Sequence, residues 1–75
     1  MVTATIAEAS AYGVTVKRTD GTVLAVKRAA LADNSRKHGV NLDEADEAVE
    51  SLGYVAGMWR WQADGKYYKA VVARG

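Results

Sequence analysis

The chain has no cysteine, no phenylalanine and one histidine among its 75 residues. Without cysteine there is neither a disulfide framework nor a thiolate metal site, which fits a reducing compartment and sets the expectation of a cytoplasmic protein. No apolar run approaches the roughly 18 residues of a membrane span, and Met1 to Ala11 lacks the charged and apolar regions of a secretory leader. Membrane-spanning and secreted classes are therefore disfavoured. Catalytic material is equally scarce: there is no Gly-rich phosphate loop and no Ser set in a nucleophile turn. The expectation is a non-enzymatic protein with no cofactor and no metal. With no Phe and few Leu or Ile, a tryptophan must fill part of the interior.

One segment also lacks basic residues. From Asn41 to Gly53 there are five acids (Asp43, Glu44, Asp46, Glu47 and Glu50) and no Lys or Arg, although the formal net charge of the chain is +1. All ten basic residues lie in the flanks. A pI near 8.0 is too mild to imply nucleic acid by itself, since the usual footprint is a domain pI above roughly 9 with clustered cations.

This acidic segment carries complete helix signals. Asn41 is an N-cap with Glu44 at the third helical position, Val40 can staple onto Ala45, and Gly53 is a C-terminal stop. At helical spacing Leu42, Ala45, Ala48, Val49 and Leu52 span an arc of about 120°, with the acids opposite. Arg28 to His38 is a second, weaker helical segment, with Leu31 its only large apolar residue, Gly39 as terminator and His38 as a C-terminal capping residue. The two helices have helix-turn-helix spacing around Gly39. That resemblance is rejected, because the recognition helix would present carboxylates to phosphates.

Two Asp-Gly turns, Asp20-Gly21 and Asp64-Gly65, each separate runs rich in Val, Thr, Tyr or Trp and predict two β-hairpins. In the first, a three-residue loop Thr19-Asp20-Gly21 places Val16 opposite Leu24 and Val14 opposite Val26, giving one apolar face. The second, Tyr54 to Gln62 with Lys66 to Arg74, is apolar on both faces. A two-residue turn groups Trp59, Trp61, Tyr68, Ala70 and Val72 against Met58, Arg60, Tyr67, Lys69 and Val71, whereas a three-residue loop sets Trp61 opposite Tyr67. Thr3 to Ala7 reads as an edge strand, with a short capped helix ending at Gly13 as the alternative.

These elements predict a single α+β domain over residues 1–75. It comprises an antiparallel sheet of two hairpins, with an optional fifth N-terminal strand, and two short helices between the hairpins packed on one face. The expected core is Val14, Val16, Leu24, Val26, Leu31, Leu42, Ala45, Val49, Leu52, Trp59 and Val72. A chain this short buries only about 60% of its unfolded surface, so self-association would help it.

Two functional classes follow. The first is a protein-binding module, a regulator, inhibitor or assembly factor, that also forms homo-oligomers. It would use Asp43, Asp46, Glu47 and Glu50 on the helix, and Met58, Trp61 and Tyr67 on the hairpin, since aromatic, Met and Arg side chains are the types enriched at interfaces. The same carboxylates are also what an ordinary solvated face carries, and they lack the spacing of a calcium loop. The second class is nucleic-acid binding by Lys17, Lys27, Arg60 and Lys69, with the acidic helix on the far side of the sheet. The bland alternative for the Lys and Arg residues is a wet face that protects an edge strand. Small size without recognisable motifs suits a phage or mobile-element gene.

Overall fold

A computed structural model describes residues 4–75. The elements in chain order are β1 (Thr5–Ser10), β2 (Gly13–Arg18), β3 (Val23–Arg28), α1 (Leu42–Ser51), β4 (Tyr54–Ala56), β5 (Arg60–Gln62) and β6 (Tyr67–Arg74). All strand pairs are antiparallel, in the order β3-β2-β1-β6-β4, with β5 also on β6. The result is an α+β arrangement with one helix on a curled sheet.

The N-terminal segment is a strand, though not at an edge. β1 lies between β2 and β6, and Ala7 and Ala9 are fully buried. Methyl side chains there let Val14, Val16 and Val72 meet Ala45, Ala48 and Val49 of α1 in one core. Thr3, the start of the expected strand, lies outside the described residues.

Local signals hold for α1. The Asn41 side chain accepts from the backbone N–H groups of Asp43 and Glu44 at 3.1 and 3.2 Å, and Gly53 follows the helix at φ +91° with its N–H on the Glu50 carbonyl. An asparagine cap of this kind contributes about 1 kcal/mol.

The second helix is absent. Residues 29–40 form an irregular loop in which Asp33 accepts from the Ser35 backbone N–H at 2.9 Å and its hydroxyl at 2.6 Å. Such side-chain bonds offer the backbone an alternative to the helix ladder, and a single large apolar residue gives a helix too little to bury. That residue, Leu31, instead drops into the core beside Val40, and Ala32 bridges Val40. His38 caps no helix and lies flat on Trp61, ring centroids 4.0 Å apart.

The first hairpin has its three-residue loop, with Gly21 at φ +98°, but the expected face is lost two residues later. Lys17 pairs with Val23 and Val16 with Ala25, so Leu24 is an extra, bulged residue. Beyond it Val14 faces Lys27 and Thr15 faces Val26. Leu24 and Val26 are therefore exposed, contrary to the expected core, whereas Val14, Val16, Leu31, Ala45, Val49 and Val72 are buried and Leu42, Leu52 and Trp59 pack against them.

The second hairpin takes the register of the two-residue alternative, Trp61 opposite Tyr68, closed by the turn Ala63–Lys66 with Lys66 at φ +54°. Its first strand is interrupted. From Ala56 to Arg60 is four steps while their partners Val72 and Lys69 are three apart, so one residue bulges around Gly57 to Trp59. Trp59 turns toward the helix and its Nε1–H donates to Asp46 Oδ1 at 2.7 Å.

Candidate functional site

Strand pairing sorts side chains onto two faces, because paired residues share a face and neighbours alternate. Ala7, Ala9, Val14, Val16, Tyr68, Ala70 and Val72 face α1. Among the described residues no helix covers the opposite face. One row across it runs Arg60, Lys69, Glu8, Thr15, Val26, and the next Val71, Ile6, Lys17, Val23. Ser10, Gly13 and Arg28 make a third row, near Tyr67.

This face is grooved. An open concavity of about 690 Å³ lies over Glu8, Ser10, Gly13 and Thr15, flanked by Tyr12, Tyr67, Arg28 and Lys66. A smaller one of about 210 Å³ lies over Ile6 and Glu8, lined by Lys17, Arg18 and Lys69. The two meet at Glu8, the sole acid in either lining, against Lys17, Arg28, Lys66 and Lys69, while Lys27 and Arg18, which also border them, belong by register to the helix side. Lys17 Nζ lies 3.1 Å from Glu8 Oε1, so that carboxylate is neutralised in place. Partial burial, with Glu8 alongside, raises the Tyr67 phenol above its usual 10.0.

Gly13 permits the groove floor. Its φ is +145°, and a Cβ there would run into the Lys27 carbonyl oxygen and approach Arg28 Cα to 2.9 Å. β2 and β3 come this close only because the residue is glycine.

The carboxylates of α1 lie on the other side of the molecule. Glu47 and Glu50 are exposed, and Asp43 accepts from Arg36 Nη2 at 3.1 Å. Asp46 is half-buried and holds the Trp59 indole. Among the described residues the ion pairs are Lys17–Glu8, Arg36–Asp33 and Arg36–Asp43, none involving Glu44, Glu47 or Glu50.

The side chains expected to bind protein are thus dispersed. Trp61 stacks with His38 and meets Tyr68 edge-on, Tyr67 faces the opposite side of the sheet, and Met58 stands 76% exposed at the bulge. Of the cations expected to meet nucleic acid, Lys17, Arg60 and Lys69 gather on the uncovered face, while Lys27, paired with Val14, belongs by register to the helix side. Sequence reasoning missed Glu8, Ser10, Tyr12 and Gly13 as parts of one surface. The available signal was the alternation of small residues Ala7 and Ala9 with Glu8 and Ser10, which marks a strand buried on one face.

Among the described residues no three His, Asp or Glu side chains are grouped to hold a metal ion, and no helix is long and apolar enough to cross a membrane. No protein family, curated protein or solved structure matches this chain.

Proposed function

We propose that this chain is a small non-enzymatic binding module that takes nucleic acid on its uncovered sheet face. The observation that carries the proposal is the joined pair of grooves, lined by cations around one neutralised carboxylate, with the acidic helix on the far side. Phosphates on Lys or Arg release condensed counterions, so affinity falls linearly with salt on a log-log plot. If Lys17, Lys69, Arg60 and Arg28 each meet one phosphate of a single strand, the slope is about −3. The α1 carboxylates repel phosphates and restrict binding to one side.

Anisotropy of a fluorescein-labelled oligonucleotide, titrated at several salt concentrations, tests this. Lys69→Ala should weaken binding and make the slope shallower by about 0.7. No binding at low salt, or binding indifferent to Lys69 and Arg60, refutes the proposal. A second reading, a protein partner or another copy of the chain, has one observation of its own: Val23, Leu24 and Val26 are solvent-facing on the edge strand β3. Such an edge can take an added strand, and sedimentation of Val26→Lys beside the parent protein measures whether it does.

A further inference from the structure

The larger groove has a lining that phosphates alone do not use. Its floor is three small residues, Ser10, Gly13 and Thr15, and its flanks include two phenol rings. Tyr12 is 85% exposed, in the two-residue turn between β1 and β2, where it contributes nothing to the core. Tyr67 lies against Gly65, where a Cβ would collide with the ring, so glycine at 65 leaves room for the ring in this position. From β6 to β3 is three strand spacings, about 14 Å between backbones. At about 690 Å³ the groove falls within the roughly 300–1,000 Å³ of small-ligand sites, and it is too narrow for a duplex.

We infer that, within the nucleic-acid reading above, this groove is the seat of one unpaired base, stacked on Tyr12 and Tyr67, with the strand continuing over Lys17 and Lys69 in the smaller groove. Stacking on the two phenol rings contributes without regard to charge, and the adjacent cations hold the backbone. Glu8 stands where the two grooves meet. A carboxylate has about four lone-pair sites, and the Lys17 ammonium and the neighbouring Tyr67 hydroxyl occupy only part of that capacity. The remainder accepts from an exocyclic amine, which cytosine and adenine carry and thymine does not. The ligand is therefore single-stranded nucleic acid with an amino-bearing base at this position.

The test measures binding of labelled oligo-deoxycytidine, oligo-deoxyadenosine, oligo-thymidine and a duplex to the parent protein and to Tyr12→Ala, Tyr12→Phe, Glu8→Gln and Lys69→Ala. Circular dichroism confirms that each variant is folded. Tyr12→Ala should weaken single-strand binding about 5- to 150-fold with an unchanged salt slope, corresponding to about 1–3 kcal/mol of stacking, and Tyr12→Phe should retain most of it. Glu8→Gln, which keeps one acceptor oxygen and gains a donor that thymine O4 can accept, should reduce the preference for cytosine and adenine over thymine. Unchanged affinity in Tyr12→Ala, with Lys69→Ala still weakened, overturns the base site and leaves the phosphate-binding face standing. Equal or tighter binding of duplex does the same. Absence of salt-dependent binding to every oligonucleotide removes the underlying reading and this inference together.

Discussion

Asp46 was expected to serve a binding face, yet the structure makes it a strut between the helix and the C-terminal hairpin, and the two roles predict different stabilities. Trp59 Nε1–H donates to Asp46 Oδ1 at 2.7 Å, both residues half-buried. Hydrogen bonds to charged groups contribute about 1.5–3 kcal/mol, and a half-buried donor left without its acceptor loses part of its solvation as well. We therefore expect Asp46→Ala to destabilise the fold by about 2 kcal/mol. A chain of this length has a total stability on the order of 4 to 11 kcal/mol, so the change is a large fraction of it. At a urea dependence of about 1 kcal/mol/M, the unfolding midpoint falls by about 2 M. Asp46→Asn keeps an acceptor oxygen and should lose roughly half as much. In a double-mutant cycle with Trp59→Phe, the shared bond should appear as a coupling of about 1–2 kcal/mol. Circular dichroism is the readout, since Trp59 fluorescence is itself altered. A loss below about 0.5 kcal/mol for Asp46→Ala, or strict additivity in the cycle, refutes the strut and returns Asp46 to the solvated acidic face.

Gly13→Ala should cost several kcal/mol, about 2–4, because its Cβ meets the β3 backbone, which cannot yield as a flexible side chain would; thermal melts measure this. Glu44, Glu47 and Glu50 replaced together by Gln should leave stability unchanged or raise it by a few tenths of a kcal/mol per relieved i,i+3 pair, about 0.2–0.5. The same variant should bind nucleic acid no more weakly than the parent; weaker binding would move the contact to the helix. Hydrogen bonds from Ser35, then Arg36, lower the Asp33 pKa below its usual 3.8, so this group supports the folded loop above that pH and the support fades as pH falls through the lowered value. NMR titration of the Asp33 carboxyl should place its midpoint below 3.8, and Ser35→Ala should move it upward.

Features specified by neighbours in sequence were legible, and features specified by a partner strand were not. The helix from Leu42 was readable because its cap, stop and apolar stripe are all local. Both hairpin turns were readable for the same reason, as was the loop length at Gly21. The bulge at Leu24 has no local mark, since it exists only relative to Val16 and Lys17 on β2. The central place of β1 depends on pairing Ile6 with Val71, at the other end of the chain. Composition called for a tryptophan in the interior and Trp59 was placed there, but nothing local told which acid would meet it. Asp46 and Glu47 are adjacent on the helix, and one turns to Trp59 while the other stays in water.

The bulge also decides which cation of β3 lies on which face. Lys17-Arg18 and Lys27-Arg28 are consecutive pairs, so each strand sends one cation to either side. In an unbroken ladder continued from Lys17 and Val23, Val14 would meet Val26, and Lys27 would lie on the open face. The extra residue at Leu24 exchanges them. Val26 goes to the grooved face with Arg28, and Lys27 goes to the helix side, where it lines a groove of about 350 Å³ with Glu44 and Glu47. That exchange costs the burial of Val26, on the order of 1.5–3 kcal/mol, which is large for a protein of this size. In return, a cation lines the same groove as two carboxylates that form no ion pair, and a charge on the helix side of β3 hinders stray strands from pairing with its free edge. A one-residue irregularity thus selects which β3 cation lies on which face without changing the number on either, and the polarity that directs an anionic strand to the grooved face comes from the α1 carboxylates on the opposite side.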